Sequence, residues 1–191
     1  MQMQTVTETP TIRAATADEA EAVQALIVAH QEEGHLLPRT LLDLRAHAPR
    51  FLVAAVDSTI VACGELAPLS HNVAEIRSLV VDRQHRNLGL GSRLVAALER
   101  RARLHGYLRL CAFTHRPDHF LKLGFSMVPH TWLPEKIALD CYSCPLFKRC
   151  GQHAMLRTLL PIGVAPRKPV LALRQAQGDP EPSRGVMGAT V

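Results

Sequence analysis

The chain has 191 residues, 47% of them apolar and only 4% aromatic, with a formal net charge of +5. That length allows one domain with a sizeable aliphatic core. The longest apolar runs, FLVAAV at 51–56 and ALIVA at 25–29, fall far short of the roughly 20 residues that span a bilayer.

The opening MQMQTVTETP carries neither the basic nor the apolar segment of a secretory leader, so the expected location is cytoplasmic and no membrane partner is expected. The basic residues are scattered and not interleaved with aromatics, which argues against nucleic acid. Their one cluster, Arg93, Arg100, Arg101 and Arg103, reads as a solvated helix face. A modest positive charge suits a small anionic partner.

In chain order, residues 1–10 read as a disordered lead and TIRAAT at 11–16 as a short strand. Asp18 is placed to cap a helix running to about Glu33, with Ala22, Val23, Leu26, Ile27 and His30 on one stripe. Gly34 is its stop. Pro38 suits the first turn of a second short helix that turns Leu41, Leu42 and Leu44 inward. FLVAAVD at 51–57 and TIVACGELAPL at 59–69, joined at Asp57-Ser58, read as a hairpin. AEIRSLVVD at 74–82 follows. Strict alternation puts Glu75, Arg77, Leu79 and Val81 on one of its faces and Ile76, Ser78 and Val80 on the other.

QHRNLGLGSRL then opens a helix whose stripe is Leu94, Val95, Leu98 and Ala102 and whose stop is Gly106. LRLCAF at 108–113 is a buried strand. A short helix around 117–123 leads through Gly124 to a last strand near Phe125–Val128. From Pro161 the chain is rich in Pro, Gly and Arg without sustained period, and 161–191 reads as a disordered tail.

The chemistry concentrates after the strand Val80-Val81-Asp82, in Arg86-Asn87-Leu88-Gly89-Leu90-Gly91-Ser92. A strand feeds a glycine turn, and the turn feeds a helix N-terminus. Unpaired N–H groups and the positive end of the helix dipole collect there. Gly89 and Gly91 let an anion approach the backbone. The dinucleotide fingerprint fails because Leu94 stands where its third glycine belongs. The phosphate-binding loop that needs Gly-Lys-Ser/Thr fails because there is no lysine.

Arg86-x-x-Gly89-x-Gly91 after a VVD strand, with Lys122-Leu123-Gly124-Phe125 downstream, resembles the GNAT acyltransferases over about residues 11–160. The resemblance implies a single α/β domain with a mixed, mostly antiparallel sheet, helices on both faces and a splayed V between its central strands. It implies acetyl-CoA as cosubstrate. Leu79, Val80 and Val81 would bind the pantetheine arm by main chain, as an added strand would. Arg86, Asn87, Leu88, Gly89, Leu90, Gly91 and Ser92 would cradle the pyrophosphate.

It further implies a general base, for which Glu75 is the candidate. The plainer reading of Glu75 is a strand carboxylate paired with Arg77 or facing water. A backbone N–H of Val80 or Val81 would serve as oxyanion donor. The tyrosine that commonly protonates the leaving thiolate in this family is replaced by Phe120, so no general acid is named.

Narrower blocks, GHLLPR at 34–39, AEIRSLVV at 74–81 and LPEKIALDCYSCPLFKRCGQHAM at 133–155, resemble short N-acetylglutamate synthases. These imply glutamate as acceptor, at the head of arginine biosynthesis. Arginine forks suit its two carboxylates, and Arg39 and Arg77 are the candidates. Acetylation of another small amine or a protein amine stays open, as does an acetyl-CoA-binding sensor without turnover. A homodimer is a further open expectation.

Cys141, Cys144, Cys150 and His153 lie in a cysteine-rich cap at about 134–155. They offer soft ligands in C-x-x-C and C-x-x-H spacing, as in structural zinc sites, over an unusually short intervening loop. Reduced cysteines packed in the cap, or a redox or iron–sulfur role, are the alternatives.

Overall fold

The computed structural model describes residues 10–33 and 36–159. Nearly all of the expected lead, Gly34 and the expected tail lie outside them. Among the described residues seven strands form one sheet: β1 (Thr11–Ala14), β2 (Phe51–Val56), β3 (Thr59–Pro68), β4 (Val73–Val81), β5 (Arg109–Thr114), β6 (Ser126–Val128) and β7 (His153–Thr158). Their order is β1-β2-β3-β4-β5-β7-β6. Every neighbouring pair is antiparallel except β4 and β5, which run parallel.

The helices are α1 (Ala20–Ala29), α2 (Leu41–His47), α3 (Leu90–Leu104), α4 (Pro117–Lys122) and a single turn, α5 (Pro134–Lys136). α5 runs straight into a π-helical turn over Ile137–Cys141.

Alternation sorts the strand residues onto two helical layers. Leu52 and Ala54 of β2 join α3 and Phe120 of α4 in one cluster. Phe51 and Val53 join α1 and Leu44 of α2 in the other. A smaller cluster of Leu69, Val73, Cys111, Leu133 and Ala154 seats the chain leading into α5. The β2–β3 hairpin turns at Asp57 and Ser58, both with positive φ (46° and 66°). That is the primed turn whose twist matches a two-residue hairpin.

Several expectations shift. Asp18 is not the cap of the first helix. Thr16 and Glu19 form a capping box around a 3-10 turn at Ala17–Glu19, and α1 follows it. Val23, Leu26, Ile27 and His30 are buried, but Ala22 is exposed. Thr40, not Pro38, begins α2, its side chain accepting from the Asp43 N–H. Leu42 faces solvent at 81% exposure. Strand β7 was not anticipated in the cysteine-rich segment, yet it separates β5 from β6.

The strict alternation of β4 also fails. Cys63 pairs with Val80 and Glu65 with Arg77, so Ser78 and Leu79 together oppose Gly64. This is a β-bulge, with Ser78 at φ 47°. It resets the faces by one residue. Leu79 and Val81 pack with Ile76 toward α3, while Val80 turns toward α1. A Cβ at Gly64 would come within 3.1 Å of the Leu98 side chain and 3.2 Å of the Leu79 side chain, so the strands pack tightly here.

Candidate active site

The parallel pairing of β4 with β5 runs only from Val73 opposite Arg109 to Ile76 opposite Ala112. Beyond Ile76 the strands part. A cleft of about 940 Å³ fills the resulting V. Leu79, Val80 and Val81 line one wall, and Phe113, Thr114, His115 and Arg116 line the other. The bulge at Ser78 sits where the strands separate, and it aims the remainder of β4 along the cleft.

One end of the cleft is the glycine turn. Arg86, Asn87, Gly89, Leu90, Gly91 and Ser92 line it. Asn87 and Gly89 both take positive φ (64° and 75°), which wraps the chain around the start of α3. Gly89 is the N-cap of that helix and supplies no side-chain bond. The first-turn N–H groups of a 15-residue helix are thus left without a side-chain cap. Arg86 is tied to the wall by its Nε bond to the Val81 carbonyl (3.1 Å) and by Nη2 bonds to Glu33 (2.8 and 3.0 Å). Hydrogen bonds from Arg86 and then Arg83 hold the Glu33 carboxyl down to about 2.

His119 of α4 stands beside Gly91, with its Nε2 3.5 Å from where a Cβ there would lie. Burial, then Arg116 and Lys122, keeps its imidazole pKa below the ordinary value. Phe120 is buried edge-on to Phe125 and also lines the cleft, next to His119.

The other end is a network of ion pairs that gathers three cations. Arg39 donates to Asp43 through Nε (2.7 Å), and through Nη1 to Glu65 (2.7 Å) and Ser78 Oγ (3.3 Å). Its guanidinium lies over the Phe51 ring, 5.6 Å from the centroid. Arg77 donates to Glu75 through Nε (2.6 Å) and to Asp140 through Nη2. Lys136 reaches Glu75 Oε1 (2.8 Å) and Asp140 Oδ2 (2.9 Å), with its ammonium 5.2 Å from the centre of the Phe113 ring.

Burial pulls the pKa of both arginines down, but the carboxylates outweigh it. Glu65 and Asp43 hold Arg39 above the ordinary arginine value, and Glu75 with Asp140 does the same for Arg77. Glu65 and Glu75 are 2% and 3% exposed, and each of these buried carboxylates is hydrogen-bonded to its cations.

Of the residues singled out from sequence, the fold brings Glu75, Arg77, Arg39, residues 79–81 and residues 86–92 onto one cleft, with Leu88 apart as an exposed side chain. Glu75 lies at the vertex of the V, still paired to both neighbours, opposite Ala67 and Cys111. Both its oxygens accept from cations.

Sequence reasoning missed Glu65, Lys136 and Asp140. Glu65 had a usable signal, the one charged residue inside a largely apolar ten-residue strand, which must find a buried partner. Lys136 and Asp140 carry only their i, i+4 spacing.

The expected zinc ligands are not assembled. Among the described residues no group of three or more His, Cys, Asp or Glu is placed to hold a metal ion. Burial, opposed by Lys136 and aided by the nearby Cys150, Asp140 and Cys144, raises the pKa of the Cys141 thiol. His153, however, is held in the ladder opposite Thr114, and the Cys150 thiol is turned toward the Gln152 side chain. Structural zinc is therefore not supported.

The model of the Acetyltransferase (GNAT) family matches residues 15–125. An uncharacterized N-acetyltransferase of Chlorobaculum tepidum is 30% identical over 148 residues, covering 78% of this chain and 96% of the relative. The amino-acid acetyltransferase of Ralstonia nicotianae is 35% identical over 126 residues, covering 65% of this chain. N-acetylglutamate synthase from Neisseria gonorrhoeae, complexed with coenzyme A and N-acetyl-glutamate, superposes with a TM-score of 0.72 at 28% identity over 80% of this chain. The chain spans only 28% of the Ralstonia protein and 35% of the Neisseria chain.

Proposed function

We propose, from the premise that this chain belongs to the GNAT family of acetyltransferases, that it carries the acetyl group of acetyl-CoA to the α-amino group of an amino acid, and that the favoured acceptor is L-glutamate. The observation that carries the acceptor assignment is the cation network. Arg39, Arg77 and Lys136 gather at the end of the cleft opposite the glycine turn. Two carboxylates on a small amine are what such an end can recognise by charge-assisted bonds. The names of two relatives support the same reading, an amino-acid acetyltransferase and a synthase bound to N-acetyl-glutamate.

In this reading the N–H groups that open α3 and the side chain of Arg86 meet the pyrophosphate of acetyl-CoA. The open edge of Leu79, Val80 and Val81 pairs with the pantetheine arm. The thioester then lies at the vertex, near Glu75. The acceptor ammonium must lose a proton before its nitrogen attacks the thioester carbon. Glu75 takes that proton through a water. Its bonds to Arg77 and Lys136 hold the carboxylate in place toward that water. A backbone N–H of Val80 or Val81 steadies the oxyanion. Phe120 cannot donate a proton, so the coenzyme A thiolate leaves to solvent.

Comparison of L-glutamate with L-glutamine and with the α-amide of glutamate tests this. Loss of either carboxylate is expected to lower kcat/KM about 100-fold or more, because the charge-assisted bonds it makes in the transition state are not replaced. Equal turnover of all three would remove the two-carboxylate acceptor. Glu75→Gln is expected to lower kcat far more than it changes acetyl-CoA affinity.

A further inference from the structure

The Arg77–Lys136 part of the acceptor end is neutral as it stands. Arg77 and Lys136 face two carboxylates, Glu75 and Asp140. The two carboxylates are not equivalent. Glu75 is in the sheet at 3% exposure, while the Asp140 side chain keeps 35% of its surface exposed. Asp140 also comes from a different kind of backbone. It belongs to the π-helical turn Ile137–Cys141, whose closing bond from the Tyr142 N–H to the Ile137 carbonyl is long, at 3.4 Å. Such turns are uncommon and collect at functional sites. A single oxygen, Asp140 Oδ2, accepts from both Arg77 Nη2 and Lys136 Nζ. Arg77, Lys136 and Asp140 all line the cleft, as do Ser143 and Cys144, which follow Asp140 in the chain.

We infer that Arg77 and Lys136 form a carboxylate subsite for the acceptor, and that Asp140 is its built-in occupant, a latch that an incoming carboxylate displaces. The inference deepens the proposed function and rests on it for the identity of the acceptor. The exchange is one carboxylate for another, so the net charge around Arg77 and Lys136 is the same before and after. With Asp140 swung out, Glu75 alone leaves the pair one positive charge in excess, which is what a carboxylate needs. The tethered Asp140 competes as an intramolecular ligand, at an effective concentration on the order of millimolar or above. It therefore raises the acceptor concentration required, and it rejects amines that bring no carboxylate to displace it. Such amines gain nothing to offset the loss of the Asp140 bonds.

The test uses glutarate, a dicarboxylate with no amine, titrated by calorimetry into the full-length wild-type protein and into Asp140→Asn. The substitution keeps the side chain's shape and removes its charge. Asp140→Ser serves the same comparison if the asparagine variant does not hold its fold. The expected result is that the variant binds glutarate ~10-fold or more tightly than wild type, and that adding Lys136→Met abolishes the gain. Glutarate binding to Asp140→Asn that is no tighter than to wild type would overturn the latch. A gain that survives Lys136→Met would overturn the subsite. Failure of the wild type to turn over L-glutamate would overturn the acceptor assignment alone, since glutarate binding does not depend on which amine reacts.

Discussion

Arg39 carries two burdens that a single substitution can separate by pH. Its guanidinium offsets Glu65, which is 2% exposed. Replacing Arg39 by Met keeps packing on the Phe51 ring but leaves a buried carboxylate with its main partner gone. Breaking a buried pair in this way costs about 3–5 kcal/mol. The buried group can limit that loss by taking up a proton. An ordinary glutamate carboxyl titrates near 4.3, so keeping one neutral at pH 7 costs roughly 3.7 kcal/mol, at about 1.36 kcal/mol per unit.

The penalty for Arg39→Met is therefore expected to be about 3–4 kcal/mol at pH 7, a Tm drop of roughly 6–15 °C for a domain of this size. At pH 5 the same protonation costs only about 1 kcal/mol, so the penalty shrinks. The sign follows from linkage. In the variant the folded state binds more protons than the unfolded state, and stability relative to wild type rises as pH falls. Adding Glu65→Gln to Arg39→Met should recover most of the loss at pH 7 and leave no residual pH dependence from this pair. Chemical denaturation of the four proteins at both pH values measures this. A loss below 1 kcal/mol at pH 7, or one that does not shrink at pH 5, would refute the pairing as the source of stability.

Other outcomes follow from the same geometry. Gly91→Ala has ordinary room, 3.5 Å from His119 and 3.7 Å from Val81. It should keep the wild-type Tm while weakening acetyl-CoA binding about tenfold by blocking close approach of the backbone; calorimetry with coenzyme A reads the split. Glu33→Gln removes a carboxylate that occupies Arg86 beside the glycine turn. It should tighten acetyl-CoA binding about two- to fourfold at low salt, with the gain fading as salt rises; unchanged affinity at low salt would mean Arg86 stays on the wall. Cys63 is fully buried and its thiol is pushed up to about 12 by burial, and burial likewise raises Cys111. Iodoacetamide at pH 8 should therefore label Cys150, Cys144 and Cys141 in the native protein and spare the other two, as peptide mass mapping would show.

The parts of the fold that were legible in the sequence are those set by local chemistry. The Asp57-Ser58 hairpin, the apolar stripe of α3 at Leu94, Val95, Leu98 and Ala102, and the turn at Gly89 each follow from a few adjacent residues. What was not legible depends on partners far along the chain. The bulge at Ser78 lies opposite Gly64 on another strand, against which Leu79 packs closely; alternation within β4 alone gives the wrong face for Leu79 and Val81. Strand β7 is hidden because HAMLRT carries a histidine and an arginine in a short run, and its place comes from the edges offered by β5 and β6.

The same division holds for the site. Arg77 and Glu75 were visible as neighbours two apart on one strand. Lys136 and Asp140 meet them across more than 60 residues, which no local pattern records. The cysteine spacing misled because a ligand set is a three-dimensional arrangement, and β7 fixes His153 by its own ladder.

The most direct test of the central claim is thiol release from acetyl-CoA with each of the twenty amino acids, with products identified by mass. Release dominated by L-glutamate, with N-acetylglutamate as the product, is the predicted result. Release with an amine that carries no second carboxylate, at a rate equal to or above that with glutamate, would contradict it.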